Sequence, residues 1–205
     1  MRSEYTNPDV IRACMSHMTH SNALAMECVL CTGWRIDDVL AIRTDNIHGR
    51  TVTITEKKTG KTSKKVIPAK LCKALVRNAV GGWCFPSRCG ATAKHRTRQA
   101  VYTDLRRCAQ ELGVSTHLSP HSGRKAYAVE LYKTQGFKAV KQALNHDNEA
   151  VTLLYALSDK LTEPDPHTDN TDLVDAIAER VRQIVRFELQ RVEKLILLSK
   201  YENEA

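Results

Sequence analysis

The segment Thr51-Val52-Thr53-Ile54-Thr55 is β-branched at every position and alternates between an apolar and a polar face. Such a run loses side-chain freedom in a helix and fits a pleated strand with one buried side. Lys58-Thr59-Gly60-Lys61 has the composition of a turn, and Lys64-Lys65-Val66-Ile67 returns before Pro68 closes the pattern. The two runs predict a β-hairpin with a strongly basic tip. The flanking sequence carries mainly helical periodicity, so the hairpin has to pack within helices. The expected class is mainly α with a small antiparallel β-sheet, an α+β fold.

Asn7-Pro8-Asp9 supplies a cap, a first-turn proline and a first-turn acid, which predicts a helix to about residue 18. An apolar helical stretch from Ala23 to Cys31 ends at Thr32-Gly33, and Arg35 to Ile42 reads as a short helix with Val39, Leu40 and Ile42 inward. After the hairpin, helices are expected over 69–79, 98–111, 121–135, 137–144 and 149–157, with an irregular stretch at 81–97. Glu163-Pro164-Asp165-Pro166-His167 cannot continue a helix, so a linker is expected over 161–170. Beyond it, Val174, Ile177, Val181, Ile184, Val185, Val192, Leu195 and Ile196 recur on one side of an amphipathic helix spanning 171–205. A chain of 205 residues thus divides into one core domain, 1–160, and an appendage.

Charge divides the same way. Residues 1–160 hold 25 Lys and Arg against 13 Asp and Glu, whereas residues 161–205 hold 6 against 10. A domain this basic points to a polyanion, because each phosphate neutralised by Lys or Arg releases condensed counterions. The seven cysteines are an odd number spread through apolar patterns, which suits reduced, buried thiols. Cys28-Val-Leu-Cys31 has metal-ligand spacing and could join Cys84 and Cys89 in a zinc site, but it lies in an apolar helical pattern where buried thiols are ordinary. No apolar run approaches bilayer length, and the chain opens on the polar Met1-Arg2-Ser3-Glu4-Tyr5. The expectation is a soluble, cytoplasmic protein with no membrane partner.

Phosphodiester transfer without a metal needs a nucleophile, cations around the non-bridging oxygens and an acid for the leaving oxygen. Four separate stretches offer these groups. They are Thr32-Gly33-Trp34-Arg35 with Asp38, Lys57-Lys58-Thr59-Gly60, His121-Ser122-Gly123-Arg124, and Leu144-Asn145-His146 with Tyr155 nine residues on. In this order they resemble the catalytic domain of the tyrosine recombinase, or phage integrase, family over about residues 5–158. The first resembles the family's Thr-Gly-x-Arg pattern, with Asp38 where glutamate is more usual. The second resembles its lysine-bearing β-turn, with Lys58 as the lysine and Lys57 as the rival. The third resembles its His-x-x-Arg box. The fourth resembles its Leu-Gly-His and tyrosine box, with Asn145 where glycine is usual.

The resemblance implies a role for each residue. Tyr155 would attack the scissile phosphorus and form a 3′-phosphotyrosyl bond, dividing one transfer into two reversible steps. Arg35 and Arg124 would grip the non-bridging oxygens with planar, permanently charged forks. Lys58 would protonate the departing 5′ oxygen, His121 would assist proton transfer at Tyr155, and His146 would donate to the phosphate. A free tyrosine titrates near about 10, so this cationic surround would also ease loss of its proton. Asp38 is expected as structural support that orients Arg35, since an exposed carboxylate would repel the phosphate.

Lys57, Lys61, Arg96, Arg98 and Lys125 are further candidates for DNA contact, with a solvated basic face as the alternative; Lys94, Arg106 and Arg107 carry the same two readings. The family likeness implies double-stranded DNA as partner, no cofactor and no metal. It also implies a homo-oligomer, a tetramer on DNA in synapsis, with the acidic tail helix docked on a neighbouring protomer or folded back on its own domain. Family members usually carry a DNA-binding domain ahead of the catalytic one, and none fits before residue 5. The expectation is an excised fragment, with weak and salt-sensitive DNA binding, or a naturally short member. A relaxing topoisomerase of type IB and a non-catalytic DNA-binding regulator are the competing readings. A metal-dependent nuclease is a third, and it finds no acidic cluster in the sequence.

Overall fold

A helix whose apolar residues are not confined to one face has to be surrounded, and His20–Thr32, α2, is such a helix. Its Leu24, Ala25, Met26, Cys28 and Val29 are buried. The computed structural model describes residues 5–87 and 94–144, all within one compact unit of the chain, residues 1–163. Around α2 pack α1 (Pro8–Ser16), α3 (Ile36–Leu40), α4 (Ala69–Asn78), α5 (Arg98–Glu111) and α6 (Pro120–Leu144). Between α3 and α4 lie a short 3₁₀ turn, Thr44–Asn46, and the strands β1 (Ile47–His48), β2 (Thr51–Thr55) and β3 (Thr62–Val66). The fold is therefore mainly helical with a small antiparallel sheet, as expected.

The sheet is antiparallel in the order β1-β2-β3. The hairpin is where the alternation placed it, and β1 is an addition: two residues are too few to show a period. Val52 and Ile54 on β2 are buried, as their alternation requires. Opposite them on β3 stand Lys65 and Ser63, both half-buried, whereas Val66 is 67% exposed. On β3 a lysine rather than an apolar side chain thus stands opposite the buried Val52.

Local chemistry sets the helix ends. The Asn7 side chain accepts the Asp9 backbone N–H at 2.9 Å and caps α1. Gly33 ends α2 with φ +66°, and a Cβ there would run into the Tyr127 ring, so the site demands glycine twice over. Gly136 (φ 76°, ψ −178°) interrupts α6, giving the two helical pieces expected over 121–135 and 137–144. Arg35 sits at the N-cap of α3 rather than inside the helix. The helix expected over 149–157, the linker at 161–170 and the tail helix at 171–205 lie outside the described residues. Cys28 and Cys84 are buried free thiols, burial pushing Cys84 up to about 11; Cys89 lies outside the described residues.

One carboxylate ties α5 to the start of α2. Asp104 Oδ2 accepts the Thr19 N–H at 2.9 Å, the Thr19 hydroxyl at 2.9 Å and the Asn22 amide at 2.8 Å, and Oδ1 accepts Arg107 Nη2 at 2.8 Å. Burial raises the Asp104 carboxyl, but these donors outweigh it and hold the group at about 2, below its ordinary 3.8. A depressed folded value means that the stability is present above the unfolded value and is lost as pH falls toward the folded one. The wild-type chain is expected to exceed Asp104→Asn by about 1–2 kcal/mol at pH 7. Urea unfolding at a series of pH values should show that gap closing between about pH 4 and pH 2. A gap independent of pH would deny Asp104 this role.

Candidate active site

Arg35 owes its position to the end of α2. The chain leaves the left-handed Gly33, buries Trp34, whose indole N–H donates to Ser63 Oγ on β3 at 2.9 Å, and presents Arg35 at the start of α3. The Arg35 Nη1 donates to Glu56 Oε2 at 2.8 Å; Glu56 is 2% exposed and Arg35 22%. The Thr59 hydroxyl donates to the same Glu56 oxygen at 3.0 Å. Asp38 lies beside this pair and was expected to orient Arg35. Its hydrogen bond goes instead to the hairpin, Oδ1 accepting the Lys57 backbone N–H at 2.9 Å. Its Oδ2 is buried with no hydrogen-bond partner among the described residues. Burial raises the Asp38 carboxyl, and the Lys57 N–H opposes that rise. Two acids therefore fasten the base of the basic hairpin: Glu56 joins it to Arg35, and Asp38 joins it to α3.

Arg124 is 2% exposed in α6, and its guanidinium donates to the carbonyls of Gly33 and Leu144, the latter at 2.8 Å. Gly123 lets α6 lie close to α2, since a Cβ there would be 3.2 Å from Met26 Cε and Val29 Cγ1. One turn earlier His121 is exposed, its backbone N–H donating to Ser119 Oγ at 3.2 Å. Arg35, His121 and Arg124 line one cleft of about 410 Å³ together with Arg98, Gln99 and Tyr102 of α5. Arg98 pairs with Asp37 at 3.6 Å on its edge. Three cationic or proton-carrying side chains, from two stretches far apart in the chain, thus line one cleft, and such groups suit an oxyanion.

The other candidates fall elsewhere. Lys57, Lys58 and Lys61 are exposed around the hairpin tip and do not line the cleft. Arg96 is half-buried and donates to Asn22 Oδ1 at 3.2 Å, lining a separate hollow with His20 and Asp104. Lys125 is half-buried, outside the cleft lining. His146 and Tyr155 lie outside the described residues. Sequence reasoning missed Glu56, although the signal was present: positions 52, 54 and 56 share one face of the alternating run, so the acid at 56 continues a buried row. It also missed Lys65 and Tyr127, which become visible only once strand register and helix packing are known.

The fold is that of an integrase catalytic domain. Lambda integrase (residues 75–356), solved as a dimer bound to a COC′ core site, superposes with a TM-score of 0.64 at 18% identity, covering 76% of this chain and 60% of that one. The catalytic domain of bacteriophage HP1 integrase superposes with a TM-score of 0.58 at 15% identity, over 82% of this chain and 98% of that one. Residues 4–161 match the phage integrase family, and the chain belongs to it. Tyrosine recombinase XerC of Actinobacillus pleuropneumoniae serotype 7 (strain AP76) is 28% identical over 148 residues, 63% of this chain and 45% of the relative. Its counterpart in Vibrio atlanticus (strain LGP32) is 26% identical over 141 residues, 63% of this chain and 44% of the relative. The chain spans less than half the length of these relatives.

Removing Glu56 takes from Arg35 its ion-pair partner, a carboxylate only 2% exposed. Glu56→Ala is expected to lower unfolding stability by about 2–3 kcal/mol in urea titration, less than a fully buried pair because Arg35 keeps some water. A loss below about 0.5 kcal/mol would place this pair with ordinary surface ion pairs.

Proposed function

We propose that this chain is the catalytic part of a tyrosine-type site-specific DNA recombinase, which cuts and rejoins a strand through a 3′-phosphotyrosyl link. The observation that carries the reading is the convergence of Arg35, His121 and Arg124 on one cleft. Charge builds on the phosphorus as it becomes five-coordinate, and donors already in place need no reorganisation to meet it. Arg124 suits this because its own hydrogen bonds to Gly33 and Leu144 hold it still. Arg35 has one nitrogen on Glu56 and sits partly exposed, so its fork can turn toward an incoming phosphate oxygen.

In the first step the Tyr155 oxygen bonds to phosphorus, its proton passes to His121, and the 5′ oxygen leaves with a proton from Lys58. In the second step a 5′-hydroxyl gives its proton to Lys58 and attacks the phosphotyrosine, the new phosphodiester forms, and Tyr155 leaves with the proton that His121 returns. One ester bond is exchanged for another, so neither ATP nor an external oxidant enters the balance. The arginines and lysine supply the charge that a metal would otherwise bring. Lys58 stands on the exposed tip, and in this reading the hairpin brings it to the leaving oxygen once DNA is bound. His146 donates to the phosphate. Lys57, Lys61, Arg98 and Lys125 contribute phosphate contacts that set the salt dependence.

Double-stranded DNA is the partner, and exchange between two sites calls for a homo-oligomer, a tetramer in synapsis. Among the described residues no helix is long and apolar enough to cross a membrane, and in this reading the protein works beside DNA in the cytoplasm.

The cleavable sequence can be selected directly. A pool of randomised duplexes with a central nick is incubated with the full chain in EDTA, and DNA that stays attached to protein in SDS is recovered. Wild type is expected to yield adducts and Tyr155→Phe none. Arg35→Lys should cut at least about 100-fold more slowly. Adducts that persist in Tyr155→Phe, or that vanish with EDTA alone, would remove the reading.

A further inference from the structure

Strand β3 is turned inside out for an apolar core, with Val66 67% exposed while Lys65 points inward opposite Val52. The Lys65 ammonium donates to the Tyr127 hydroxyl at 2.9 Å and to the Ala143 carbonyl at 3.2 Å, and it lies 4.6 Å from the centroid of the Tyr127 ring. The carbonyls that close a helix have no partner within it and carry the negative end of its dipole, so cations are favoured there. At the end of α6 two successive carbonyls are held by two cations on different elements. Lys65 of β3 holds Ala143, and Arg124 of α6 holds Leu144.

These contacts close a ring. Tyr127 packs against Gly33, and the Gly33 carbonyl takes the other arm of Arg124. The ring therefore joins β3, the turn that presents Arg35, and the end of α6, from which the chain runs on toward His146 and Tyr155. An alkyl side chain at position 65 would avoid burying an amine beside a guanidinium, which is an expensive arrangement. Burial holds Lys65 down at about 8, with repulsion from Arg124 acting the same way and Glu56 opposing. A lysine kept there at that cost points to what its donors hold.

We propose, building on the recombinase reading, that Lys65 is a positioning residue for strand cleavage. By clamping the Ala143 carbonyl and the Tyr127 ring, it sets where the chain leaves α6 relative to the Arg35 and Arg124 cleft. It touches neither substrate nor reacting atoms. Among the described residues, the titratable and charged groups around it are Arg124 and Tyr127 on α6 and Glu56 after β2, with Cys31 of α2 acting in turn on Tyr127. Below about pH 8 the ammonium is charged and the clamp is closed. Above it, a neutral amine holds the Ala143 carbonyl less firmly.

The test compares wild type, Lys65→Met and Lys65→Arg in the full chain, and its first arm needs no DNA. Hydrogen exchange at the end of α6 is expected to rise about tenfold or more in Lys65→Met, with α1 and α2 unchanged and Lys65→Arg protected as wild type. The second arm uses a duplex recovered in the adduct selection. Lys65→Met should lower single-turnover cleavage about tenfold or more while DNA affinity stays within about twofold. Lys65→Arg should restore the rate and remove a fall in wild-type cleavage above about pH 8, because guanidinium stays charged. A 5′-bridging sulfur leaves without a proton, so it should rescue Lys58→Ala but not Lys65→Met. Unchanged exchange in Lys65→Met, wild-type cleavage by it, or its rescue by sulfur each overturns the proposal. If wild type forms no adduct, the recombinase reading fails, while the exchange arm still decides whether Lys65 clamps α6.

Discussion

Arg124 carries a charge that it cannot shed, in a place that water hardly reaches. An unpaired guanidinium there would cost several kcal/mol, so the chain has to bring acceptors to it. Those acceptors are the backbone carbonyls of Gly33 and Leu144, 91 and 20 residues away. Satisfying one side chain thereby fixes the end of α2, the course of α6 and the distance between them. Gly123 and Gly33 permit the close approach on either side of that arginine, one against α2 and the other beneath Tyr127. Stability and the shape of the cleft are in this sense one problem with one solution.

The hairpin poses the opposite problem, a tip crowded with like charge. Glu56 and Asp38 answer it from below, one through the Arg35 guanidinium and the other through the Lys57 backbone N–H. A buried ion pair gains little net stability once desolvation is counted. What this pair supplies is registration, because Arg35 and the turn that follows β2 cannot move independently while both are held by one carboxylate. Lys65, at the far end of the same hairpin, extends the arrangement to α6. The small sheet therefore does more than fill space between helices. It is the piece through which the cleft, the lysine-bearing tip and the end of α6 are mechanically joined.

Much of this was open to reading from the chain alone. The Asn7-Pro8-Asp9 cap, the alternating Thr51–Thr55 run and the helices on either side of Gly136 are local events, governed by backbone sterics and by periods of 2 or 3.6 residues. The sequence also marked Arg35, His121 and Arg124 as chemically suited to one phosphate, and all three line one cleft. It did not reveal β1, whose two residues carry no period, nor the hydrogen bond that Asp38 accepts from the Lys57 backbone on the hairpin.

The reason for the division is range. Residue type, helix caps and strand alternation act over a few positions, so the sequence by itself determined the class of fold and the inventory of charged groups. Which carbonyl meets Arg124, which acid meets Arg35 and which side of β3 faces inward depend on register and on crossings between elements far apart in the chain. Lys65 shows this most clearly: within its own strand it reads as one more basic surface residue, and only the pairing with Val52 and the approach of Tyr127 and Ala143 make it a buried amine. Those choices were made by tertiary packing, where the cost of burying a charge is weighed against partners that no local pattern names.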